Sequence, residues 1–103
     1  MEHYLDNSAT TVVSEKSAQK AYEIMTKCYG NPSSLHLKGL QAEQELVKAR
    51  KLVAKSLGAL SDEIFFTSGG TESNNTAIFG SVQAKKRQGN KLVISAVEHS
   101  SIM

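Results

Sequence analysis

The sequence predicts an α/β protein in which two amino-terminal helices precede one parallel βαβ unit. Three observations predict it. Apolar residues recur every three to four positions along two stretches of residues 1–60. Two short apolar runs, residues 63–67 and 91–95, show no polar alternation, the pattern of strands covered on both faces. Between those runs lies a helical stretch bounded by glycine-containing turns, long enough to carry the chain across a sheet in a right-handed connection.

The elements follow in order. Residues 4–11 form a short polar arm. Ser14 is placed to cap a helix starting at Glu15, its hydroxyl accepting an orphan N–H of the first turn. Ala18, Ala21, Tyr22, Met25 and Tyr29 make that helix's apolar stripe, and Gly30 ends it. Residues 30–34, Gly-Asn-Pro-Ser-Ser, read as a loop, because Pro32 disfavours helical geometry at Asn31. A second helix spans residues 39–57 with Ala42, Leu46, Ala49, Val53 and Leu57 on its apolar face and Gly58 as its left-handed terminator. The first strand follows, is broken by Ser68-Gly69-Gly70, and gives way to a third helix over residues 71–88. After Gly89-Asn90 the second strand leads into Ala96-Val97-Glu98-His99. Two regions result: an arm with helices over residues 1–60, and a βαβ region over residues 61–103. Two parallel strands do not make a persistent sheet, so the chain reads as a piece of a larger α/β protein.

Composition excludes several classes of function. A net charge of +2 with scattered lysines does not suit a nucleic-acid partner, and the basic run Lys85-Lys86-Arg87 reads as a solvated helix end. One cysteine, Cys28, leaves no intrachain disulfide framework and no multi-cysteine metal site; it reads as a small structural residue. No stretch approaches the ~20 apolar residues of a membrane span, and the first residues lack the basic and apolar segments of a signal peptide. A cytoplasmic chain without a membrane partner is expected.

Two segments carry chemistry. Residues 67–75, Thr-Ser-Gly-Gly-Thr-Glu-Ser-Asn-Asn, set two glycines and several hydroxyls between a strand end and a helix start. A helix's first turn has unpaired N–H groups and partial positive charge, so Gly70 and Thr71 are candidates to bind a phosphate; the competing reading is a plain tight turn. No lysine follows the glycines, so this is not a nucleotide P-loop. Glu98-His99 follows the second strand's carboxyl end, where ligands of open α/β sheets bind. There His99 either stacks on an aromatic cofactor and exchanges protons, or is a hydrogen-bonded residue at a helix start.

Four motifs occur together: residues 4–11 (Tyr-Leu-Asp-Asn-Ser-Ala-Thr-Thr), 30–36 (Gly-Asn-Pro-Ser-Ser-Leu-His), 66–75 (Phe-Thr-Ser-Gly-Gly-Thr-Glu-Ser-Asn-Asn) and Glu98-His99. In order and spacing they resemble the cysteine desulfurases, the NifS/IscS-like members of the class V aminotransferase group. The resemblance covers essentially the whole chain. It implies part of the large domain of a fold type I pyridoxal 5'-phosphate enzyme, with residues 61–103 opening the cofactor-binding region.

By the same resemblance, Gly70 and Thr71 bind the cofactor phosphate, and His99 stacks on its ring and assists proton transfer. The parent takes sulfur from L-cysteine, leaves alanine, and passes a persulfide to an acceptor such as an iron–sulfur scaffold protein. It does so as a homodimer. Residues 7–11 and 31–36 resemble segments bordering the substrate cleft. Val12 stands where many relatives have proline, which touches entry into the first helix. The family's Schiff-base lysine and persulfide cysteine lie downstream of Met103, so this stretch alone is expected to be inactive. A selenocysteine lyase, an aminotransferase of the same group, or a non-catalytic anion-binding scaffold module are the alternatives.

Overall fold

The computed structural model describes residues 3–103 and contains three helices. They are α1 (Glu15–Lys27), α2 (Leu37–Leu57) and α3 (Gly70–Lys85), with a single 3₁₀ turn at Ser61–Glu63. The chain divides into two compact units, one ending at Ile64 and one running from Phe65 to Met103. No helix is long and apolar enough to cross a membrane among the described residues.

In the first unit the arm turns on itself. The carbonyl of Asp6 accepts from the amides of Ala9 and Thr10, and the Tyr4 hydroxyl donates to the carbonyls of Asp6 and Thr10, each at 3.0 Å. Ser14 then caps α1 as the sequence predicts, its Oγ accepting from the Ser17 amide at 3.2 Å. The helix closes at Lys27 with Cys28 as its C-cap, so Tyr29 lies past the last turn, where Lys38 Nζ sits 5.5 Å from its ring centre.

The predicted stripe of α1 is not the face that packs. Ala18, Ala21, Tyr22 and Met25 are exposed, whereas Glu23 and Ile24 are half-buried. Lys20, Ile24 and Cys28, spaced by four, border a cavity with Ala42, Glu45, Leu46 and Ala49 of α2. An ion pair reinforces that face: Lys20 Nζ reaches Glu45 Oε2 at 2.6 Å and Lys48 Nζ reaches Oε1 at 2.8 Å. Hydrogen bonds from Lys20, and secondarily Lys48, hold the Glu45 carboxyl down at about 2. The amphipathic pattern defined a helix correctly, but a pattern cannot say which of two usable faces finds a partner.

α2 starts at Leu37, two residues before the predicted Gly39, because His36 supplies a cap: its Nδ1 accepts from the Gly39 amide at 3.2 Å. Residues 30–34 wrap this turn. Asn31 accepts from Ser33 through its side chain and from Ser34 through its carbonyl. A Cβ on Gly39 would overlap the Ser34 carbonyl oxygen, and one on Gly30 would overlap that of Lys38. Backbone meets backbone here, and only glycine leaves the room. At the far end Gly58 adopts φ 65°, and Ala59 donates to the Ala54 carbonyl, the terminator the sequence predicts. Buried residues are few among those described: Gly39, Ala42 and Ala54 in α2.

The two expected strands are the main correction. Residues 63–67 and 91–95 carry no strand assignment, and the βαβ unit does not form among the described residues. Glu63 closes the 3₁₀ turn instead, with its carboxylate accepting from the Leu60 amide at 2.7 Å. Phe65, Leu92 and Val93 are strongly exposed. The reason is physical. A strand's ladder hydrogen bonds go to neighbouring strands, and a parallel pair also needs both faces covered. Helices close their bonds internally, so α1, α2 and α3 form where the strands do not. The third helix also ends at Lys85 rather than Gln88, and residues 86–88 form a turn in which Gln88 donates to the Lys85 carbonyl.

Candidate functional site

The second unit contains Gly70, Thr71 and His99. α3 begins after Gly69, whose extended backbone starts the helix without any side-chain cap. The amides of Gly70, Thr71 and Glu72 have no backbone partner among the described residues, as the geometry of a first turn requires. No atom lies within 4 Å of where a Cβ would stand on Gly69 or Gly70. The Thr71 hydroxyl has no partner among the described residues and is exposed. These donors sit together at the positive end of α3 and face open space.

The loop before the helix is held from the side. Thr67 Oγ1 donates to the Gly69 carbonyl at 3.1 Å and lies 2.6 Å from Ser73 Oγ. Glu72 Oε2 accepts from both the amide and the hydroxyl of Ser68, each at 2.6 Å, and these bonds lower its carboxyl below the usual range, the hydroxyl contributing most. The carboxylate therefore serves the loop as a brace. It occupies Ser68's donors and leaves those of Gly70 and Thr71 free.

His99 is tied to the same helix by an intermediary. Asn74 Nδ2 donates to Ser101 Oγ at 2.8 Å, and Ser101 Oγ lies 2.9 Å from His99 Nδ1. The Ser101 amide donates to the same Nδ1 at 3.1 Å, and the turn is closed by the Ile102 amide on the His99 carbonyl at 2.8 Å. Asn75 Nδ2 donates to the Thr71 carbonyl at 2.9 Å and reaches the Ser101 carbonyl at 3.4 Å. Thus Asn74 and Asn75, one turn after Gly70 and Thr71, anchor the turn that carries His99.

Sequence reasoning quoted Asn74 and Asn75 inside a motif without giving them a role, and passed over Ser101 altogether. A signal existed. Polar residues at 74 and 75 interrupt what would otherwise be the inward side of α3, and buried polar groups call for partners. Residues 7–11 and 31–36 belong to the first unit, where 31–36 wrap and cap α2 and His36 is a helix cap. Cys28 is half-buried at the end of α1, in the first unit.

Comparisons with known proteins bear on this arrangement. The profile of the family described as aminotransferase class-V matches residues 3–103. A NifS/IcsS protein homolog of Lactobacillus delbrueckii subsp. bulgaricus is 52% identical over 99 residues, covering 96% of this chain and 26% of the relative. A cysteine desulfurase IscS of Dictyoglomus turgidum is 42% identical over 102 residues, covering 99% of this chain and 26% of the relative. The solved structure of a NifS-like protein matches with a TM-score of 0.89 at 35% identity, over 99% of this chain and 28% of that one. The chain spans about a quarter of the length of the curated relatives it matches.

Proposed function

The chain belongs to the class-V aminotransferase family, and from that footing we propose that it forms the amino-terminal part of a pyridoxal-phosphate-dependent cysteine desulfurase. The observation that carries the reading is the open first turn of α3, whose amides and Thr71 hydroxyl have no partner among the described residues and which is joined through Asn74 and Ser101 to the ring of His99. The names of the relatives support a desulfurase over other members of the group.

The residues present fit the cofactor. A phosphate needs several donors and little crowding, and the Gly70-Thr71 turn offers both. Its amides and the Thr71 hydroxyl would hold the phosphate, while the flat imidazole of His99 would cover the pyridine ring. When bound, pyridoxal phosphate supplies an electron sink conjugated to the α-carbon of the amino acid. What this chain adds is grip, orientation and, at the His99 ring, a place to hold or release a proton. The lysine that carries the cofactor and the cysteine that receives sulfur are assigned to sequence outside residues 1–103.

Several further features belong to this reading. Residues 61–103 open the cofactor-binding large domain, and residues 1–60 are its amino-terminal arm and helices. Residues 63–67 and 91–95 become parallel strands of that domain's sheet once neighbouring strands and covering helices are present. The complete enzyme is cytoplasmic, acts as a homodimer on L-cysteine, and hands sulfur to an acceptor such as an iron–sulfur scaffold protein.

The test uses the full-length polypeptide that carries this sequence. With pyridoxal phosphate and L-cysteine it should yield equal amounts of alanine and transferable sulfur. The 103-residue chain under the same conditions should release none. A full-length protein that binds the cofactor but leaves cysteine intact, or transaminates it, would overturn the proposal.

A further inference from the structure

The bonds around His99 determine more than its place. A backbone amide only donates, so the 3.1 Å bond from the Ser101 amide makes His99 Nδ1 an acceptor. Ser101 Oγ receives its own bond from Asn74 Nδ2, which leaves the hydroxyl proton to point at the same Nδ1, 2.9 Å away. Nδ1 thus faces two donors from one residue and has no room for a proton of its own. His99 Nε2 has no partner among the described residues.

We propose that Ser101 is a positioning residue for His99, fixing the neutral ring as the tautomer protonated on Nε2 and presenting that N–H away from α3. The serine does this as a relay between the helix and the ring. Asn74 is half-buried on α3, Ser101 is half-buried on the turn, and His99 is exposed, so the order imposed by the helix is passed outward to the ring that meets ligand. Asn75 supports the relay from below, gripping the carbonyls of Thr71 and Ser101 with one amide. The residues that hold the candidate phosphate turn and those that orient the imidazole are therefore consecutive on one helix: Gly70 and Thr71 for the first task, Asn74 and Asn75 for the second. Which ring nitrogen carries the proton beside a bound cofactor follows from this geometry. The proposal rests on the desulfurase reading for the identity of that cofactor, and on the hydrogen bonds alone for the tautomer.

The experiment is nitrogen NMR on the full-length polypeptide labelled with ¹⁵N-histidine, with His99→Gln identifying the resonances by their loss. Nδ1 of His99 should resonate as an unprotonated nitrogen and Nε2 as a protonated one. Ser101→Ala, which keeps the amide donor but loses the hydroxyl, should lower the ratio of the two tautomers about fivefold, the worth of one neutral hydrogen bond. Ser101→Thr should restore it. Asn74→Asp, similar in size but an acceptor, should draw the Ser101 hydroxyl proton away and lower the ratio as Ser101→Ala does. A proton on Nδ1 in the parent protein, or a ratio untouched by Ser101→Ala and Asn74→Asp alike, would overturn the proposal. The expected tautomer in a protein that makes no alanine from cysteine would uphold the positioning and sink the desulfurase reading.

Discussion

The first turns of α2 and α3 use similar residues to opposite ends. Both follow a loop that contains glycine and serine, and both leave helix amides to be satisfied. At α2 the protein covers the turn itself: His36 caps the Gly39 amide, the Asn31 turn folds over the helix, and Gly30 and Gly39 are held against backbone carbonyls. At α3 the protein withholds its caps. Gly69 has no side chain to offer, Glu72 braces Ser68 instead, and Gly70 and Thr71 face open space. A glycine of the first kind exists because something already occupies the Cβ position. One of the second kind has nothing at that position, the room that the proposed phosphate would use.

Substitutions should separate the two kinds. The largest effect is expected at the closed turn: Gly39→Ala drives a methyl into the Ser34 carbonyl and should cost about 3 kcal/mol, the upper part of the range for overpacking, read as a fall in denaturation midpoint. Next comes Thr71→Ala at the open turn. It should leave stability nearly unchanged and weaken pyridoxal phosphate binding roughly thirtyfold, as expected for losing one hydrogen bond to a charged group. Equal binding by the variant, measured by cofactor titration in the full-length protein, would mean that Thr71 is not part of the phosphate site. His36→Ala removes a cap and should cost about 1 kcal/mol.

Gly70→Ala should carry the opposite sign to Gly39→Ala. An exposed helical position with a clear Cβ direction gains about 0.5 kcal/mol from reduced freedom of the unfolded chain. If the two glycines responded alike, the distinction between filled and vacant turns would fail. The smallest effect concerns the tie between α1 and α2. The carboxyl of Glu45 is lower in the folded state, about 2, than its unfolded value of 4.5. Its contribution is therefore present above pH 4.5 and lost as pH falls from there towards 2. Glu45→Gln should flatten the acid limb of a stability–pH curve in that window and change little at neutral pH, since the pair is exposed and screened.

Legibility in the sequence tracked how local each interaction is. The Ser14 cap and the Gly58 terminator were readable because the partners lie within a few residues of each other. His36 was missed as a cap because imidazole is an uncommon capping group, although its place just ahead of an apolar helix was a clue. The packing face of α1 was misread: Tyr22 and Met25 outweighed Ile24 in the pattern, yet Lys20, Ile24 and Cys28 turn towards α2. In the second unit, Gly70, Thr71 and His99 could be singled out as candidates from their setting. The relay through Ser101 could not, because it joins residues 26 and 27 positions apart that carry no mutual signature.

What residue order settled unaided was the run of helices, the Ser14 cap, the Gly58 stop, and the cluster of small donors at residues 67–75, since helical bonds and capping bonds close within one or two turns. Tertiary structure alone decided which face of α1 meets α2, that Gly39 is locked while Gly70 is open, and which nitrogen of His99 faces Ser101. It also governs residues 63–67 and 91–95, whose apolar, β-favouring composition invites strands but whose backbone groups need a neighbour. A helix carries its partners within its own length, whereas a strand must be given them.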